Sequence, residues 1–284
     1  MATQRAIRGV AAALACAGLA AAGPSPVLVT GATGRTGVLL YKQLQAKGVA
    51  VRALVRNVTK AKDLLGCAKC DTSEGIYVGD LTKKDTLIPA MQGAGALAIV
   101  SSATPVCEGS GFDPSKCHYH KGAYPIDIDF NGGKAQIEAF AEANKGVMGP
   151  VVLCSSMGTT QPDGFLDKLG NGNINFYKLN EEAFLMSSGL PYTIVKPCGL
   201  TDGEPGKNEL VASHDDELQL KPPAISRADV ARVMAGALLD AKAASGLRFD
   251  LCSRAGPPTT DVSEVLKAAR YPWEHTEVEA PVVI

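Results

Sequence analysis

An α/β domain built on a doubly wound parallel sheet is the fold this sequence predicts, on three observations. From Pro26 onward, apolar runs of strand length alternate with segments of helical period, the βαβα pattern of a parallel sheet covered on both faces. The first run, Val27-Leu28-Val29-Thr30, passes directly into a turn with glycine at 31, 34 and 37 and then into an amphipathic segment. The 284 residues are 46% hydrophobic and 20% charged, enough apolar material for the core of one large domain.

Taken in order, strands are expected at 27–30, 49–55, 75–78, 96–101, 150–154, 192–195 and 247–251. Helices are expected at 34–47, 58–65, 84–91, 131–144, 176–188, 227–241 and 262–270. Ser226-Arg227-Ala228-Asp229 has the spacing of a capping box and marks the start of the last long helix. No repeat or linker divides the chain, so a single domain is expected over 25–284, with small C-terminal elements on the substrate side. One connection is too long for a simple loop. Residues 103–127 contain six Gly or Pro and two Cys between a strand and a helix, and loops of that length usually cover or line a binding site.

Residues 1–24 stand apart. Arg5 and Arg8 precede an Ala-rich run that ends before Gly23-Pro24, as in a targeting leader. The run is too short to span a bilayer. A plastid destination is favoured; the secretory pathway, or an extra N-terminal helix on a cytoplasmic protein, are the alternatives. Lys and Arg total 28 against 29 Asp and Glu, a balance that gives neither nucleic acid nor an anionic membrane a reason to bind. Nine Lys and Arg nevertheless precede the first acid, Asp63. Part of that excess belongs to the leader, and the rest suits a phosphate-rich ligand.

The glycine turn says which ligand. Gly31 permits a tight turn, Gly34 lets backbone approach a pyrophosphate, and Gly37 lets helix and strand pack closely. Free N–H groups and the positive end of the helix dipole then face the phosphates. This dinucleotide site includes Thr33, Arg35 and Thr36 between the glycines. Sites that take NAD end the second strand in an acid that holds the ribose diol. Here Arg56 stands at that place and Arg35 projects from the turn. Two guanidinium groups suit a 2′-phosphate, so NADP is expected over NAD; a solvated basic edge is the plainer alternative.

With these blocks in view, the chain resembles the atypical short-chain dehydrogenase/reductases with an NmrA-like, NAD(P)-binding domain, above all a plant and algal subgroup. The likeness is carried by Val29 through Gly37, Val78-Gly79-Asp80-Leu81-Thr82, Ser155-Ser156-Met157-Gly158, Lys168 through Asn173, Pro191 through Pro197, and Ser226 through Ala231. The resemblance implies a Rossmann-like sheet. It implies that Asp80 and Leu81 flank the adenine, that Ser101 and Ser102 lie beside the cofactor, and that Ser155 and Ser156 sit near the nicotinamide. It also implies that Lys178 holds the nicotinamide ribose and that Pro197, Cys198 and Gly199 pass close to the carboxamide. The Tyr-x-x-x-Lys pair of the superfamily is broken, because Ile174 stands where the tyrosine belongs. Tyr177 is adjacent to Lys178 and points about 100° away from it on a helix. Tyr177 cannot simply replace that phenol; Tyr177, Ser156, Cys198 or a group of the substrate are the open choices for proton donor, and Ser156, Tyr177 and Lys178 are the catalytic candidates.

Eight cysteines raise zinc or disulfides. Cys67 and Cys70 precede the third strand while Cys107 and Cys117 follow the fourth, so the pairs fall at opposite sheet edges and no shared metal site is expected. Separate disulfides are possible in an oxidising compartment, and free thiols otherwise. Two functions remain. One is an NADP-dependent oxidoreductase acting on a small molecule of unknown identity; the other is a non-catalytic NADP-binding redox sensor or accessory subunit of a larger assembly.

Overall fold

The computed structural model describes residues 25–109, 113–145, 148–161 and 163–271; the expected leader lies outside them. Strands β1 (Val27–Thr30), β2 (Val51–Val55), β3 (Ile76–Val78) and β4 (Ala96–Ile99) alternate with α1 (Gly37–Ala46), α2 (Val58–Leu65) and α3 (Ile88–Met91). After β4 comes a hairpin of β5 (Val106–Cys107) and β6 (Cys117–His118), then α4 (Gly132–Ala143) and β7 (Val151–Cys154). Next are α5 (Phe165–Lys168), α6 (Ile174–Ser187), β8 (Tyr192–Pro197), β9 (Gly199–Thr201), β10 (Glu209–Ser213) and β11 (Ala224–Ser226). Helices α7 (Arg227–Leu239) and α8 (Ala241–Ala244), strand β12 (Leu247–Arg254) and α9 (Val262–Ala268) follow.

The order β3-β2-β1-β4-β7-β8-β12 is parallel throughout, a Rossmann-like doubly wound sheet. β10 runs antiparallel along β12, which β11 also joins, with β9 beside β11. Strand alternation builds two cores. Val27 and Val29 pack with Leu40, Leu44, Val230 and Met234 under α1 and α7. Leu28 packs with Leu97, Ile99, Ile137 and Phe140 under α3 and α4. Burial on both faces explains why these strands read as unbroken apolar runs.

Expected and observed boundaries agree at β1 and α2. β2 starts two residues late, because the Val49 N–H turns back to Leu44 O at 3.1 Å to close α1. The helix expected at 84–91 divides into a 3₁₀ turn, Lys84–Thr86, and α3. Pro89 explains the division, because it sits in the first turn of α3 and has no N–H to continue the ladder back to the Asp85 carbonyl. A π-helical turn, Ile126–Asn131, leads into α4 ahead of its expected start. The capping box holds: the Asp229 N–H donates to Ser226 Oγ at 2.9 Å.

The long loop after β4 is not irregular throughout. Its hairpin is stapled by the Cys107–Cys117 disulfide, and Cys67 pairs with Cys70. A third disulfide, Cys198–Cys252, joins the end of β8 to β12. Among the described residues Cys154 alone is free, and no three His, Cys, Asp or Glu side chains gather as a metal site.

Candidate functional site

The glycine turn follows β1 at the C-terminal edge of the sheet. Gly31 has φ +65°, and a Cβ there would lie 2.7 Å from Ser101 N at the end of β4. A Cβ on Gly37 would collide with Gly31 O, so α1 starts hard against the turn. Gly34 differs. Its N–H donates to Gly31 O at 2.8 Å, while a Cβ would meet only that oxygen, at 3.0 Å. Its outer side faces open space. The first turn of α1 holds no acid, and Thr36 at its N-cap makes no side-chain cap bond. The helix tip is left to attract an anion.

Charge lines this edge. Arg35 pairs with Asp202, which also takes Arg227 at 2.8 Å. Arg56 is exposed at the end of β2. Partial burial disfavours charge on Asp80, yet the Thr82 N–H and hydroxyl at 3.0 and 2.9 Å, with Arg56 nearby, keep its carboxyl below the usual range.

Across the edge, between the ends of β4 and β7, lies a buried polar chamber. Lys178 from α6 stands 2.9 Å from Asp129, with both side chains almost wholly buried. Glu181, one turn on, is 1% exposed and lies where a Cβ on Gly133 would be. Burial opposes the charge of Lys178, but Asp129 and Glu181 outweigh it and raise its pKa. Burial pushes the Glu181 carboxyl well above the carboxylate range and the Cys154 thiol up to about 11. Polar atoms of Tyr119, Gln136, Asn175 and Glu181 are buried without a hydrogen-bond partner, and Lys178 Nζ and Asp129 Oδ1 have only each other. Buried polar groups are nearly always satisfied in native proteins, so such a gathering marks where a ligand or solvent completes the bonding.

The residues 31–241 match a family described as NAD(P)H-binding. The chain belongs to it. An uncharacterized chloroplastic protein of Arabidopsis thaliana is 38% identical over 249 residues, 84% of this chain and 73% of that one. Sanguinarine reductase of Eschscholzia californica is 34% identical over 274 residues, 87% of this chain and 97% of that one. The solved oxidoreductase ylbE of Lactococcus lactis shares the fold, with a TM-score of 0.62 at 20% identity over 88% of this chain and 97% of that one.

In this NAD(P)H-binding chain the sequence-predicted residues fall at one sheet edge, but not all are free to act. Gln136 Nε2 donates to Ser101 Oγ at 3.3 Å, and Ser102 is exposed. Leu81 is buried in the core under α4. Ser155 donates to Glu182, which also accepts Arg248 Nε at 2.8 Å. Ser156 donates to Met157 O at 2.9 Å. Pro197 is buried, Cys198 is held in its disulfide, and Gly199 is exposed at the start of β9. Tyr177 and Lys178 diverge as their adjacency requires. Lys178 points into the chamber, whereas Tyr177 lines a cavity of about 450 Å³ with Thr159, Thr160, Asp163 and Phe176.

Sequence reasoning missed Asp129, Glu181 and Glu182. A signal existed for two of them, since acids three and four residues after Lys178 share its helix face. Asp129 arrives from the π-helical turn, which no local pattern announces. A raised carboxyl has a stability consequence. The folded state keeps the Glu181 proton where the unfolded chain releases it, so stability falls as pH climbs above about 4.3. Glu181→Gln is expected to be more stable than wild type at pH 8 and to gain little at pH 4, measured by urea unfolding.

Proposed function

We propose that this protein is an NADP-dependent oxidoreductase that reduces a small molecule, working in a plastid after delivery by residues 1–24, with 25–284 as its one domain. The observation that carries the reading is the chamber around Lys178, where buried donors and acceptors lie unpaired across the edge from an open helix tip. The residues fit the cofactor. The N–H groups of Thr33, Arg35, Thr36 and Gly37 suit a pyrophosphate; Arg35 and Arg56 suit a 2′-phosphate. Asp80 and Leu81 adjoin the adenine, while Ser101 and Ser102 line the path to Lys178, which suits a ribose diol. Pro197, Cys198 and Gly199 border the carboxamide. NADPH supplies reducing electrons when bound. The protein orients it, excludes water and manages the proton.

The family match supports a nicotinamide cofactor, and the reductase relative supports the direction of reaction. The chloroplastic relative supports the compartment. The cavity beside Tyr177 falls within the usual size range for small ligands. The non-catalytic reading, a redox sensor or accessory subunit, draws its support from Ile174, buried where a phenol would act.

Titration with NADP and NAD, followed by melting temperature, separates these possibilities. NADP is expected to stabilise the protein more than NAD at equal concentration. Arg35→Ala and Arg56→Ala are each expected to weaken NADP about tenfold, with NAD unaffected. Equal responses to both nucleotides would remove the case for a 2′-phosphate site. Tight NADP binding without NADPH consumption on any carbonyl would favour the sensor.

A further inference from the structure

Reduction of a carbonyl leaves an oxygen that needs a proton, and Ile174 cannot give one. A second tyrosine reaches the same chamber by another route. Tyr119 is 4% exposed and stands two residues past Cys117, on the hairpin that the disulfide closes. Its ring occupies the space a Cβ on Gly172 would fill, just before α6 begins. Gly170 is similarly close to this hairpin, since its Cβ would lie 3.0 Å from Cys117 O. The first residues of the loop are tied in as well, because the Ala103 N–H donates to Asp129 Oδ2 at 2.9 Å.

The Tyr119 hydroxyl has no hydrogen-bond partner among the described residues. Buried tyrosines ordinarily find one. The charges that act on it are those of Asp129, Asp167 and Lys178, and Asp129 Oδ1 and Lys178 Nζ, 2.9 Å apart, have only each other as partners. Three groups of one chamber therefore hold bonding capacity that the protein itself does not use.

We propose that Tyr119 is the proton donor of this site, carried in by the stapled loop after β4 instead of by α6. The role exists only if the protein is the oxidoreductase proposed above. The substrate carbon takes hydrogen and two electrons from the nicotinamide of NADPH, and the C=O π pair moves to oxygen. That oxygen forms an O–H bond with the Tyr119 proton as the Tyr119 O–H bond breaks, leaving a phenolate beside the Lys178 ammonium. Water returns the proton once product has left. Burial, then Asp129 and Asp167, push the phenol up to about 12, so it is fully protonated at neutral pH. An alkoxide is more basic still, and the transfer runs downhill.

The test uses the full chain with NADPH and phenanthrenequinone as probe, with Tyr119→Phe and Gly172→Ala as variants. Gly172 has φ −83°, so alanine adds a methyl group against the ring without straining the backbone. Tyr119→Phe is expected to keep the NADP-induced rise in melting temperature and lose about 100- to 10,000-fold in kcat. Gly172→Ala is expected to lose turnover while retaining NADP binding. A readout independent of turnover is the tyrosinate absorbance difference between wild type and Tyr119→Phe during alkaline titration. Saturating NADP is expected to move the phenol revealed by that difference. Wild-type turnover in Tyr119→Phe, or a phenol that ignores NADP, overturns the proposal. A wild type that binds NADP but reduces no quinone overturns the oxidoreductase itself and this role with it.

Discussion

Replacing Lys196 with methionine is expected to remove about 3–5 kcal/mol of folding stability, the usual cost of leaving buried charge without its partner. Lys196 is fully buried and reaches Asp216 at 2.9 Å and Asp250 at 3.0 Å, both also fully buried. Asp216 binds the N–H groups of Gly158 and Thr160 at 2.7 and 2.9 Å, and the Thr160 hydroxyl as well. Its own N–H donates to Asp250 at 2.6 Å. One ammonium thus joins β8, β12 and the segment after β7 that lines the cavity beside Tyr177. Burial disfavours charge on Asp216, but bonds from Thr160, Lys196 and Gly158 hold its carboxyl far below the usual range. A depressed carboxyl contributes stability above its unfolded pKa, near 3.9, that is lost as pH falls through the folded value. Denaturant midpoints at pH 7 and pH 3 check both parts. Wild type should lose stability between them, and Lys196→Met should start lower and fall less. A methionine variant as stable as wild type at pH 7 would show that the cluster holds nothing together.

Gly37→Ala is expected to raise the NADP dissociation constant more than 100-fold and to lower stability by about 1–3 kcal/mol, the range for overpacking a tight site. The new methyl would strike Gly31 O and lie 3.1 Å from Ala32 Cα. Both neighbours are backbone, so either the helix start or the turn must shift, and the phosphate-facing N–H groups shift with it. Gly48→Ala is the control. Gly48 has φ +74° and nothing within 4 Å of its would-be Cβ. Alanine there should cost about 1 kcal/mol of backbone strain and leave NADP affinity unchanged. Isothermal titration of both variants checks the pair, and retained affinity in Gly37→Ala would detach the turn from cofactor binding.

These contrasts track what was legible in the sequence. β1, β4 and β7 were readable because a strand buried on both faces must be apolar at every position. The glycine turn was readable because its demands are local. What escaped depends on residues far apart in the chain. β9, β10 and β11 are short pieces that exist through pairing with one another and with β12, and their burial is too mixed to give a period. The Cys198–Cys252 bridge spans a separation of 54 residues. Lys178 was legible through its motif, whereas Asp129 became its partner through a π-helical turn, and Tyr119 entered through a loop with no period of its own. Lys196 looks like any strand residue until Asp216 and Asp250 are placed against it.

The salt link at the mouth of the cofactor edge has a kinetic corollary. Asp202 holds two guanidinium groups, Arg35 and Arg227. If the 2′-phosphate proposed for this edge claims Arg35, the carboxylate keeps its second companion, so no charge is stranded during the handover. Both Arg35 and Asp202 are two-thirds exposed, where such links are weak and quickly remade. Docking is then a trade of one anion for another on a preset arginine, and raising salt weakens the leaving contact along with the arriving one. That makes entry less sensitive to ionic strength than the number of positive charges around the mouth suggests.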